Sequence, residues 1–170
     1  MSVHVNDHAA TDPPHPRCHE ATLLTPPVWE HNSRIAVFAL LPEPRRVGEV
    51  RRAVRELLVC WHVDDETRDT AAVVLSELAT NAVVHATAST SISVRITLAA
   101  DLTIEVRDGS STLPHSRVQR SDLHETETET ESGRGLALAS ALATRWGVTV
   151  HDRGGKSVWA RLALPTTRHA

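Results

Sequence analysis

Glu77, Asn81 and His85 recur every four residues in the stretch Glu77-Leu78-Ala79-Thr80-Asn81-Ala82-Val83-Val84-His85-Ala86. At about 100° per residue, a helix gathers all three within an arc of roughly 80°. A carboxylate can take a proton from a hydroxyl, an amide oxygen suits a hard cation such as Mg²⁺, and an imidazole can donate to a phosphate. Together these groups suit a nucleotide. The same spacing also arises on the wet face of an ordinary amphipathic helix, so the trio needs support from elsewhere in the chain.

Three further segments bear on the same chemistry. Ser132-Gly133-Arg134-Gly135-Leu136 opens a predicted helix, where glycines let the backbone approach a phosphate and free N–H groups and the helix dipole face the anion. It also reads as a tight loop-to-helix turn. It is not a Walker A loop, because no Gly-Lys-Ser or Gly-Lys-Thr follows, and not a Rossmann turn, because no strand ends just before it. Asp108 closes a predicted strand, where its carboxylate can accept a hydrogen bond from the exocyclic amine of adenine or simply begin a turn. Gly154-Gly155-Lys156-Ser157 is either a hairpin turn or a floor under a nucleotide's phosphates or base.

The elements that must position these groups follow from periodicity. Ile35-Ala36-Val37-Phe38-Ala39-Leu40-Leu41 reads as a strand closed by Pro42 and Pro44. Val47, Val50, Val54, Leu57, Leu58 and Trp61 recur at helical spacing, with Arg45, Arg46, Arg51, Arg52 and Arg55 on the other sides. Those arginines form either a docking face for an acidic partner or a solvated flank. Asp64 or Asp65 caps a second helix, which runs to about Ala86, carries the trio and buries Ala71, Val74, Leu75, Leu78 and Ala82. Alternation in Ile92, Val94, Ile96, Leu98 and in Leu102, Ile104, Val106 predicts a hairpin turning at Ala99-Ala100-Asp101. Residues 109–132 have no apolar period, and four glutamates in Glu125–Glu131 alternate with threonines, which suits a mobile lid. A helix from Gly135 to about Trp146 and a hairpin of Val148–Val150 with Val158–Leu164 complete the series. The expected fold is α/β, an α+β two-layer sandwich, with a mixed, mainly antiparallel sheet covered on one face by helices.

Composition sets the outer limits. The chain has 170 residues, 41% of them hydrophobic, enough for one domain with a core. Residues 1–33 and 166–170 read as tails around a domain at 34–165. Five prolines between Pro13 and Pro27 forbid regular helix in the first of these. Six of the eleven histidines (His4, His8, His15, His19, His31, His169) fall in tail-like segments, so a structural metal site is not expected. The formal charge of −3 gives no general attraction to nucleic acid, and no apolar run reaches the ~20 residues of a membrane span. Cys18 and Cys60 form no CxxC pair and no signal-peptide pattern opens the chain, so a reducing cytoplasm is expected.

In order along the chain, these pieces resemble the GHKL (Bergerat-fold) ATP-binding superfamily, and more closely its anti-sigma-factor serine/threonine kinase branch. ELATNAVVHA is similar to that branch's N box, VRDGSSTLP stands where the G1 box belongs, ESGRGLAL resembles the G2 box, and GGKSVWARL resembles the closing G3 hairpin. The similarity covers about residues 35–164. It implies ATP and Mg²⁺ as cofactors. Asn81 would coordinate Mg²⁺ bridging the phosphates, Glu77 would be the general base on the acceptor, and His85 would lie near the phosphates. Asp108 would read adenine, and Gly133, Arg134, Gly135 and Leu136 would wrap the phosphate tail with main-chain N–H groups. Gly155 and Lys156 would lie at the edge of the pocket. The G1 box of the superfamily usually reads DxGxG, whereas Ser110 and Thr112 stand here at the two glycine positions.

The resemblance implies a Mg·ATP-dependent kinase that phosphorylates a Ser or Thr on an anti-sigma-factor antagonist protein of STAS type and also sequesters a sigma factor. It leaves a homodimer open. The competing expectation is a non-catalytic ATP-binding module that regulates transcription by docking. A sensor histidine kinase domain fits less well, because no helix pair with an acceptor His precedes Ile35. A topoisomerase or chaperone ATPase would need a transducer or client domain. Direct nucleic-acid binding has only the arginines of the first helix in its favour and lacks interleaved aromatics.

Overall fold

A computed structural model describes residues 22–30, 33–85, 91–110 and 132–165. The elements run β1 (Thr22–Glu30), β2 (Ser33–Leu40), α1 (Pro44–Cys60), α2 (Asp65–His85), β3 (Ile92–Leu98), β4 (Asp101–Asp108), α3 (Ser132–Leu142), β5 (Arg145–Val150) and β6 (Lys156–Ala163). The lid expected at 109–132 falls mostly on residues 111–131, outside the described residues, as do 1–21 and 166–170.

The six strands form one sheet in the order β1-β2-β3-β4-β6-β5, and every neighbouring pair is antiparallel. The sheet, expected to be mixed and mainly antiparallel, is thus antiparallel at every described pair. The reason lies in the helix pair. Arg51 of α1 reaches Ser76 of α2 and Arg55 reaches Asp69, so the two helices run in opposite directions and return the chain to the sheet end it left. β3 must then descend beside β2.

Residues 22–30, read from the sequence as tail, are the edge strand β1. Its pairing with β2 shifts register between Leu23 and Thr25 and again between Thr25 and Val28, the stretch that holds Pro26 and Pro27. Proline lacks the N–H a central strand would need, and an edge strand with bulges tolerates it.

The core lies between the helices and one face of the sheet. Alternate residues Ala36, Phe38, Leu40; Ile92, Val94, Ile96; Leu102, Ile104, Val106; and Val158, Ala160, Leu162 face it and are buried. Val50, Val54, Leu57 and Leu58 of α1, Ala71, Val74, Leu75 and Leu78 of α2, and Leu136 and Ala139 of α3 close it. α1 ends in a turn where His62 takes φ 59° while its N–H reaches the Val59 carbonyl and the Val63 N–H reaches that of Leu58, satisfying carbonyls the helix leaves open. α2 begins at the expected cap, the Asp64 side chain accepting from the Thr67 N–H at 2.9 Å. Among the described residues no helix is long and apolar enough to cross a membrane.

Candidate functional site

Four chain segments meet at one end of this sandwich. The last residue of β4 and the first of β6 face each other, Asp108 opposite Lys156. The C-terminal half of α2 meets the beginning of α3, where Glu77 lies directly against Gly135. The opposite end holds an open groove of about 320 Å³ among Asp64, Thr67, Thr70, Leu142 and Thr144, and none of the expected site residues line it.

α2 presents the trio at three depths. Asn81 is buried, next to Leu78 and Ala82 of the core stripe, Glu77 is half-buried, and His85 is exposed in the last turn, where an imidazole complements the helix dipole. The Nδ2 of Asn81 is buried without a hydrogen-bond partner. An unmet buried amide costs about 1–3 kcal/mol, so a ligand oxygen placed there has free energy to recover.

α3 starts at Ser132, three residues before the predicted helix, which puts Gly133, Arg134 and Gly135 inside its first turns. The N–H groups of a first turn have no partner within the helix, so the shift leaves Gly133, Arg134 and Gly135 near that unpaired end. Gly135 leaves room for the Glu77 carboxylate: a Cβ there would meet Oε2 and push that flexible end aside. Leu136, expected to offer its main chain, buries its side chain in the core at 4% exposure. The helix ends at Leu142 and not near Trp146, because the Thr144 N–H pairs with the Arg161 carbonyl and Trp146 pairs with Ala160 in the sheet.

The sheet side departs furthest from expectation. Asp108 and Lys156 continue the buried rows of β4 and β6, with side-chain exposures of 1% and 0%. Lys156 Nζ donates to Asp108 Oδ1 at 3.0 Å and to the Ser110 carbonyl at 3.4 Å. The Ser110 N–H donates to the same Oδ1 at 2.7 Å, while Oδ2 is buried with no partner. Lys156 is thus no rim residue; its ammonium is spent on Asp108. The β5–β6 connection is the hairpin turn anticipated as one reading of Gly154-Gly155-Lys156-Ser157, closed by the His151 N–H to the Gly155 carbonyl at 3.0 Å. Gly154 and Gly155 both take positive φ, 87° and 83°, and a Cβ on Gly155 would come within 2.4 Å of the Asp108 carbonyl oxygen.

The pairing of Asp108 with Lys156 was missed in the sequence, although a signal existed. Counting back in twos from Leu162, Ala160 and Val158 reaches Lys156, and counting forward from Leu102, Ile104 and Val106 reaches Asp108. A charge ending each of two apolar rows marks a buried pair once the strands are neighbours.

The arginines of α1 are largely engaged within the chain. Arg45 and Arg46 pair with Glu43 and Glu49, Arg51 with Ser76, and Arg55 with Asp69.

An antiparallel sheet with helices on one face and a polar cluster where β4, β6, α2 and α3 meet defines the class, an α+β sandwich with its site at one sheet end. The family model for the histidine kinase-like ATPase domain matches residues 40–162, and the chain belongs to that family. Among solved structures, the RsbU and RsbW domains of Rv1364c from Mycobacterium tuberculosis share the fold, with a TM-score of 0.56 and 23% identity over 82% of this chain. The chain spans 33% of that longer one. No curated protein matches the chain.

Proposed function

We propose that the chain binds Mg·ATP at the β4–β6–α2–α3 end and transfers the γ-phosphoryl group to a Ser or Thr hydroxyl on an anti-sigma-factor antagonist in the cytoplasm. The observation that carries this reading is the meeting of Glu77 with the first turns of α3, one helical turn from the unpartnered amide of Asn81. The order of the four motifs and membership of the ATPase family support the nucleotide. Similarity of those motifs to anti-sigma-factor kinases supports the partner class.

Each residue then has a task. The first-turn N–H groups of α3 receive the phosphate tail. Asp108 accepts from the base, and Glu77 accepts the proton of the attacking hydroxyl. The hydroxyl oxygen bonds to the γ-phosphorus as the bond to the β,γ-bridging oxygen breaks, so ADP leaves and the proton rests on Glu77. The unmet Nδ2 of Asn81 can donate to a phosphate oxygen, and its carboxamide oxygen is the atom that would hold Mg²⁺. Among the described residues no cluster of three His, Cys, Asp or Glu side chains competes for a metal. When bound there, the ion would neutralise phosphate charge.

A second reading, nucleotide binding without transfer, is favoured by Ser110. It stands where the resemblance expects glycine, and it is tied to the Asp108–Lys156 pair. Radiolabel transfer from ATP to purified antagonist proteins separates the two. Glu77→Gln is expected to lower transfer by about 100-fold or more with ATP affinity retained. No transfer by the unaltered chain to any antagonist, with ATP bound, would leave the docking reading.

A further inference from the structure

The Asp108–Lys156 pair sits where two apolar rows end, and its hydrogen bonds are lopsided. Oδ1 of Asp108 takes two donors, the Lys156 ammonium at 3.0 Å and the Ser110 N–H at 2.7 Å. Oδ2 takes none although it is buried. Two donors on one oxygen fix the plane of the carboxylate. They leave the other oxygen as an acceptor with nothing to accept. Gly155 holds the lysine in place from the far side: its φ of 83° lets the backbone pass within contact of the Asp108 carbonyl, so Lys156 starts β6 directly opposite Asp108.

We propose that Lys156 is a positioning residue for base selection, holding Asp108 as a fixed, ionised acceptor whose Oδ2 recognises the 6-amino group of a purine. This rests on the nucleotide-binding reading above and adds to it the residue that sets the choice of base. An ionised carboxylate accepts only, so a purine with an oxygen at C6 meets it lone pair to lone pair. Without the ammonium only the Ser110 N–H fixes the carboxylate plane, so Oδ2 is no longer held where a 6-substituent would meet it. The ammonium of Lys156 therefore decides which 6-substituent is welcome. Its two hydrogen bonds go to Asp108 and Ser110, so its effect on the base runs through the carboxylate.

The test compares ATP with inosine triphosphate, which carries an oxygen at C6, by calorimetric titration of the full chain. The unaltered chain is expected to prefer ATP by about 30-fold or more. In Lys156→Met the preference is expected to fall to about threefold or less, with inosine triphosphate binding held or improved. Asp108→Asn/Lys156→Met removes both charges together and keeps the test open if the single variant does not fold. Its carboxamide offers a donor and an acceptor, so its preference is also expected to vanish. A purely structural lysine would weaken both nucleotides alike. A folded Lys156→Met or double variant that keeps the unaltered ATP preference overturns the proposal. Equal binding of both nucleotides by the unaltered chain overturns it too, while leaving nucleotide binding intact. Binding of neither overturns the nucleotide reading itself.

Discussion

On the sheet side of the site, Asp108, Lys156, Ser110 and the Gly154–Gly155 turn already hold one another through hydrogen bonds and close backbone contact. On the helix side, Asn81 ends in an amide without a partner, and Glu77 rests against a glycine. Each side keeps one buried atom without a partner, Oδ2 of Asp108 and Nδ2 of Asn81. Only on the sheet side is that atom framed by neighbours already bonded to one another. The contrast suggests a division of labour in which the base is read by a rigid sheet end while phosphates and cation complete the helix end.

The contrast can be broken most directly at Asn81. Asn81→Leu removes the unmet buried amide, so the free protein is expected to gain about 1 kcal/mol in thermal unfolding. It should also lose the roughly 2.7 kcal/mol of stabilisation that Mg·ATP gives at a hundredfold excess over Kd. A free protein that is strongly destabilised instead would mean that the amide is satisfied without ligand.

On the sheet side the opposite pattern is expected. Gly155→Val forces a side chain into φ 83° and toward the Asp108 carbonyl, and it should cost about 2 kcal/mol in denaturant unfolding whether or not nucleotide is present. A loss seen only with nucleotide would dissolve the distinction between the regions.

Two smaller effects sharpen it. Asp64→Ala removes the cap of α2 and should cost about 1 kcal/mol at neutral pH. The Thr67 N–H holds the Asp64 carboxyl below the ordinary carboxylate value of about 3.9. The stability this cap adds is therefore complete above that value and is lost as pH falls through the lowered one, so unfolding midpoints of parent and variant should converge in acid. Gly135→Ala should change stability by less than about 1 kcal/mol, because alanine's helix propensity offsets the displacement of a flexible carboxylate end. Transfer should nonetheless fall about tenfold as Glu77 is pushed aside.

What could be read in advance follows the same line between local and long-range causes. The α2 stripe, the Asp64 cap and the β3–β4 hairpin depend on neighbours a few residues away, and periodicity placed them within a residue or two. β1 escaped because Pro26 and Pro27 suggested tail, and only its edge position makes them tolerable in a strand. The burial of Lys156 escaped because it depends on β4 and β6 being neighbours, residues 48 positions apart in the chain. Once that register is known, the chemistry of the pair follows from two short alternations.

The central claim is that Mg·ATP completes the helix side of this site. Calorimetric titration of the full chain with ATP, with and without Mg²⁺, tests it most directly. The account predicts saturable binding of one nucleotide per chain that tightens with Mg²⁺, a gain that Asn81→Leu abolishes. No saturable heat with Mg·ATP, or a Mg²⁺ effect undiminished in Asn81→Leu, would contradict it.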